Sequence, residues 1–191
     1  MNAGIRMLVV PAMAVTVLLA ACAGRPPVAV EAGTATCPQL TGSYCARGQR
    51  WEQGNTDIKT TYLPYTLGIA SAPGWDTVDH VEIQGVDDGL LTIVLWAGDA
   101  EFARVELREP ELMCGGDRVL LKMDKMMWSG GLELLAFGGS GGWRQFRRGD
   151  DGILRVEENR RETGAVFLVV PLVMHSDAQM QFPPTGEGGC E

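Results

Sequence analysis

Histidine occurs only twice in this 191-residue chain, and none of its five cysteines stands two residues from another. Zinc sites draw on histidines and closely spaced cysteines, so a metal-binding role has little to build on. Basic residues are also short: 16 Lys and Arg face 24 Asp and Glu, for a formal net charge of −8. A chain that acidic is a poor partner for nucleic acid or an anionic membrane surface, both of which require a positive patch. Nor do its acidic pairs, Asp87/Asp88, Asp150/Asp151 and Glu157/Glu158, supply calcium-loop spacing, and strand neighbours point to opposite faces, which spoils paired-carboxylate chemistry. The stretch Met7 to Ala21 is uncharged, yet as a helix it would reach about 22 Å, short of a hydrocarbon core of about 30 Å. No helical pattern of ordinary length follows it. Glycine is abundant, at 25 residues, and the apolar fraction of 46% is concentrated at the N-terminus. The roughly 170 residues after Ala21 suffice for one domain with its own core.

Arg6 followed by that short apolar run and then small residues describes a secretory signal peptide over residues 1–21. The run ends in Leu19-Ala20-Ala21-Cys22, which resembles the lipobox of bacterial lipoproteins. The resemblance implies cleavage between Ala21 and Cys22, and a covalent diacylglycerol and N-acyl lipid (palmitate-type chains) on the Cys22 sulfur and the new amino terminus. A thiol suits that transfer as the most nucleophilic side chain available. Aspartate after the lipidated cysteine tends to hold such proteins at the inner membrane. Ala23 occupies that position here, which implies the outer membrane, periplasmic face, with membrane lipid as the partner through Cys22. An ordinary signal peptide leaving Cys22 free, or a retained helix, are the alternatives. Residues 22–36 carry Pro26, Pro27 and many small residues without periodicity, the composition of an extended tether.

From Leu40 onward apolar residues alternate in short runs broken by glycine and aspartate. Val81 and Ile83 oppose His80, Glu82 and Gln84, while Ala103, Val105 and Leu107 oppose Arg104, Glu106 and Arg108. These are half-buried strands. Leu90 to Trp96 and Val166 to Val170 are continuous apolar runs, expected as strands covered on both faces. Further strands are expected in Leu40 to Ala46, Thr60 to Ile69, Val119 to Lys125, Leu132 to Phe137, Trp143 to Arg148 and Ile153 to Glu158. Asp87-Asp88-Gly89 and Asp150-Asp151-Gly152 carry the Asp-Gly hairpin signal, and Ala97-Gly98-Asp99 and Gly115-Gly116-Asp117 add two more turns. The expected fold is all-β: an antiparallel meander of roughly 8 to 11 strands forming a barrel or sandwich over residues 37–182, with a flexible tail at 183–191. Leu40, Gly42 and Tyr44 at the first strand are similar to the opening of lipocalins and of several small bacterial lipoproteins of unknown role.

With Cys22 assigned to lipid, Cys37, Cys45, Cys114 and Cys190 remain. Export to an oxidising compartment makes disulfides the default. Cys37 and Cys45 flank an expected strand and lie too far apart to bridge. Two connectivities stay open: Cys37 with Cys114 and Cys45 with Cys190, or Cys37 with Cys190 and Cys45 with Cys114.

One catalytic template is present. Gly138-Gly139-Ser140-Gly141-Gly142 fits the nucleophile elbow, and Asp150, Asp151 and His175 follow in the serine, acid, histidine order. The elbow should lead into a helix, whereas Trp143 to Arg148 reads as a short strand, so the segment is better read as a flexible hairpin loop. His80 reads as a solvated strand histidine, and His175 as a strand end. Trp51, Trp75, Trp96, Trp128 and Trp143, with Met123, Met126 and Met127, are expected mainly in the core, with a pocket or a partner surface as alternatives. The functional expectation is a non-enzymatic binding or envelope-accessory protein, its partner an envelope protein or an apolar ligand. A lipocalin-like carrier of an apolar ligand is the second reading, and a serine hydrolase using Ser140 the third. A carrier requires a deep pocket lined by tryptophan and methionine, an accessory protein a filled interior and an exposed apolar patch.

Overall fold

A computed structural model describes residues 39–69, 73–87, 90–108, 110–115, 118–129, 137–166, 170–186 and 190. The signal segment, the tether, Cys22, Cys37 and most of the strand expected at 132–137 lie outside the described residues. Among the described residues, eleven strands form two antiparallel sheets. The smaller sheet has the order β1 (Gly42–Cys45), β4 (His80–Asp87), β5 (Leu90–Ala97), β6 (Ala100–Leu107). The larger runs β3 (Lys59–Tyr62), β2 (Arg47–Glu52), β11 (Val170–Phe182), β10 (Leu154–Val166), β9 (Phe137–Arg148), β8 (Arg118–Ser129), β7 (Leu112–Gly115). The fold is therefore an all-β meander in two layers, a sandwich.

Alternation builds the core, as half-buried strands require. Val81 and Ile83 of β4, with Leu91, Ile93 and Leu95 of β5, meet Val119, Leu121, Phe146, Leu154, Val156, Met180 and Phe182 from the larger sheet, all in one cluster and at most 6% exposed. Each such side chain fully withdrawn from water contributes about 1.5–3 kcal/mol. In β5 the opposite face is fully covered only at Val94, which Glu82 and Arg104 flank in register, while Leu90 and Trp96 are half-buried.

The two sheets join where β1 runs into β2 at Ala46, which is fully buried. Its N–H donates to the Asp79 carbonyl and its own carbonyl accepts from Leu63 N–H. Gly48, just past this bend, admits no side chain, because a Cβ would lie 2.3 Å from the Gln181 carbonyl oxygen. The segment read from sequence as a tail is held here too. Cys45 N–H donates to the Pro183 carbonyl and Thr185 N–H to the Ser43 carbonyl, and Cys45 forms a disulfide with Cys190. That pairing is the one the first of the two connectivities requires of Cys45, and it excludes Cys45 with Cys114. Cys114 is also disulfide-bonded.

Several local expectations are corrected. Thr60 to Ile69 is not one strand: β3 ends at Tyr62 and a single helical turn, α1 (Leu63–Thr66), follows, because Pro64 stands at its start where a missing N–H costs nothing. The Val166 to Val170 run is divided between the end of β10 and the start of β11. Gly138 to Gly142 is no loop but part of β9. Gly142 allows the close approach of β10 there, since a Cβ would sit 2.0 Å from the Asn159 carbonyl oxygen. His175 lies inside β11 rather than at its end. Trp51, Trp75, Trp96 and Trp143 are all half-buried and outside the core, which branched aliphatic, Phe, Tyr and Met side chains fill instead.

Candidate functional site

Strands β8 to β11 are 12 or 13 residues long, against 8 for β4 to β6. They outrun the smaller sheet. Among the residues whose side chains are described, none between 122 and 145 or between 157 and 177 belongs to the core cluster. Where the second layer stops, α1 and the segment after it close over the larger sheet and leave a cleft of about 720 Å³. That volume lies within the range of small-molecule sites, about 300–1,000 Å³.

The floor of the cleft begins at a row of charges. Glu158 follows Leu154 and Val156 at alternate positions of β10 and so faces inward with them, with its side chain 3% exposed. Arg144 follows the same rule with Phe146 in β9, and Glu158 and Arg144 are direct register partners. Arg144 Nε donates to Glu158 Oε2 at 2.7 Å, and Arg50 Nη2 of β2 donates to Oε1 at 3.2 Å. The remaining reach of Arg144 goes to α1: Nη1 donates to the carbonyl of Thr66 at 2.7 Å and of Tyr65 at 3.3 Å. Burial alone would raise the Glu158 carboxyl pKa, but the charge and hydrogen bond of Arg144, then those of Arg50, outweigh it and hold the carboxyl below its usual range. The triad thus fastens α1 to the sheet and forms one end of the cleft.

Beyond that row the floor continues through Ser140, Arg160 and Met123, and the walls are Tyr62, Tyr65, Leu67, Ile69, Trp75 and Leu107. Trp75 meets Tyr62 edge to face, 5.4 Å between centroids. Arg160 Nη2 pairs with Glu162 at 2.7 Å and reaches Ser140 Oγ at 3.4 Å. Its Nε is buried and makes no hydrogen bond among the described residues.

The catalytic template does not assemble. Ser140 is 7% exposed in the body of β9, opposite Glu162, which in turn pairs with Met174. His175, the neighbour of Met174, therefore projects from the other face two strands away, a lateral distance of about 9.5 Å. Asp150 and Asp151 sit in the β9–β10 turn, where Asp151 bonds Arg155 and the Ile153 N–H. The Arg155 hydrogen bond, followed by that of Ile153, holds the Asp151 carboxyl below its usual range. These are turn-stabilising roles.

His80 is likewise structural. Its ring stacks on Trp96 at 5.9 Å and it bonds Asp79, whose other oxygen accepts the Gly98 N–H at 2.6 Å in the β5–β6 turn. Of the residues singled out in the sequence, Ser140, Trp75 and Met123 come together in the cleft. Cys45 and Cys190 meet at the sheet junction. Arg50, Arg144 and Arg160 were not singled out, and Glu158 only as half of an acidic pair set aside on strand geometry, although Arg144, Glu158 and Arg160 carried a signal: charges in phase with core positions of the same strands. Compared with protein-family models, curated proteins and solved structures, the chain matches none.

Proposed function

We propose that this chain is a non-enzymatic, lipid-anchored binding protein of the bacterial envelope, held through Cys22 at the periplasmic face of the outer membrane. Its cleft takes a small ligand with an apolar body. The observation that carries the binding reading is the cleft itself, roofed by aromatic and aliphatic side chains on one side and floored by the larger sheet on the other. The lipobox resemblance supplies the anchor and the compartment. A lipocalin-like carrier is the closest general description of the ligand-binding part, with an open two-sheet cleft in place of a closed barrel.

A second reading, docking of an envelope protein, rests on the adjacent residues Val173 and Met174 of β11, 53% and 44% exposed in the part of the larger sheet that outruns its partner. Adjacent apolar residues exposed on both faces of a strand suit a contact surface.

Trp75 gives a direct test of the cleft. The full chain in phosphatidylcholine vesicles, titrated with a short brominated alcohol, should show saturable tryptophan quenching, and Trp75→Phe should lose most of the saturable part. Quenching that only tracks partition into the bilayer, unchanged in the variant, refutes the binding reading.

A further inference from the structure

The cations around the cleft divide into those already committed and those in reserve. Arg144 is committed to Glu158 and two carbonyls, and Arg50 to Glu158 and Glu52. Arg160 is not. Only its Nη2 is engaged, by Glu162 and Ser140, while Nε is buried without a hydrogen bond and Nη1 bonds none of the described residues. An unsatisfied buried guanidinium N–H costs stability unless a ligand acceptor supplies the missing bond.

Four cations, Arg50, Lys122, Arg144 and Arg160, line the cleft against two carboxylates, Glu111 and Glu158. With Glu162 included through its pair with Arg160 and Glu52 through its pair with Arg50, cations and carboxylates balance, in a chain whose net charge is −8. A balanced site in a chain this acidic repels an anion less than the rest of the surface does.

We propose that the ligand of the cleft is an anionic amphiphile, a single apolar chain ending in a carboxylate or phosphate monoester. The head is received by the Arg160 guanidinium, with the Ser140 hydroxyl beside it, and the chain lies along Tyr65, Ile69 and Leu107. Arg160 takes the central role because a guanidinium fork matches the two oxygens of either head group. This rests on the binding reading above, and deepens it by naming the charge and the residue that select the ligand.

The full chain in phosphatidylcholine vesicles is incubated with radiolabelled decanoate, decyl phosphate, decanol or inorganic phosphate, and retention is counted over protein-free vesicles. Decanoate and decyl phosphate should be retained at least tenfold more tightly than decanol, and inorganic phosphate should not be retained at the same concentration. Arg160→Gln should weaken both anionic probes roughly tenfold or more and leave decanol unchanged, the loss expected for a charge-assisted hydrogen bond. Arg160→Lys should recover part of the affinity. Decanol retained as tightly as decanoate, or an Arg160→Gln variant that keeps full affinity for decanoate, overturns the anionic-head proposal while leaving an apolar binding cleft standing. Inorganic phosphate retained as well as decyl phosphate makes the site one for free anions and overturns the amphiphile. Retention of no probe at all defeats the binding reading together with the proposal.

Discussion

Replacing Glu158 by glutamine removes one negative charge from the middle of β10 and changes the side chain's shape very little. The structure allows the consequence to be worked out. Glu158 has a side chain 3% exposed, and its two oxygens accept from Arg144 and Arg50, whose side chains are 11% and 21% exposed. Removing one member of a buried ionic group leaves the others as uncompensated charges, at a cost of about 3–5 kcal/mol. Two features place the expectation at the low end. Arg144 keeps its bonds to the Thr66 and Tyr65 carbonyls, and Arg50 is exposed enough to recover water. A loss of about 3 kcal/mol, with a urea slope of about 2 kcal/mol per molar for a domain this size, lowers the unfolding midpoint by roughly 1.5 M. The assay is urea unfolding of the full chain in zwitterionic detergent under non-reducing conditions.

The pH dependence sharpens that test. The Glu158 carboxyl is held below its usual range in the folded protein. A depressed carboxylate pKa contributes stability that is fully present above the unfolded value, about 4.3, and is lost as pH falls through the folded value. Glutamine has no such contribution to lose. The gap between wild type and Glu158→Gln should therefore be widest near pH 6 and narrow as pH falls below about 4. A paired change, Arg144→Met with Glu158→Leu, should cost less than the sum of the two single changes, because neither buried charge is then left alone. A single-variant loss below about 1 kcal/mol at pH 6, or a gap independent of pH, would refute the buried-triad reasoning.

Two further outcomes follow from the cysteines. The Cys45–Cys190 bridge closes a separation of 145 residues, for which loop entropy sets a ceiling of about 5 kcal/mol. Cys45→Ala with Cys190→Ala should lower stability by about 3–5 kcal/mol and expose the chain after Phe182 to proteolysis; an unchanged urea midpoint would contradict that. Cys22→Ser should leave the protein unprocessed or release it from the membrane fraction, read by mass and by fractionation, and unchanged attachment and processing would remove the lipobox assignment.

The layers of the fold were legible because alternation records burial directly. Val81 and Ile83, or Val119 and Leu121, stand two apart and enter one core. Glycine misled where it served packing rather than turning: the run around Ser140 is read locally as a loop, but the need for it comes from β10, where the Asn159 carbonyl leaves no room for a Cβ at residue 142. Proline carried the opposite lesson, since Pro64 marked the end of β3 and the start of α1 inside a stretch otherwise suited to a strand. The tryptophans were placed by size alone, and the structure leaves Trp51, Trp75, Trp96 and Trp143 half-buried, where one edge of an indole stays polar and wet.

The site was harder to read because its members are distant in the chain, and each one alone is an ordinary surface residue type. Arg50 and Glu158 are 108 positions apart, Arg144 and Glu158 only 14. Yet the strand pattern itself marks the place. Along β10 the inward positions run Leu154, Val156, Glu158, Arg160, and along β9 in the opposite direction Phe146, Arg144, Gly142, Ser140. Both change from apolar to polar at the same register row, the Arg144–Glu158 pair. Two apolar sheets can close on each other only as far as apolar residues continue. A charged row must find partners instead, and here it finds them in each other, in Arg50 and in α1. The same row that ends the dry core therefore fastens α1 over the sheet, and the space beyond it is the cleft. The position of the site is a consequence of where the binary pattern stops, so exchanging Arg144 and Glu158 for apolar residues should extend the core at the expense of the cleft, with ligand retention falling while stability is largely kept.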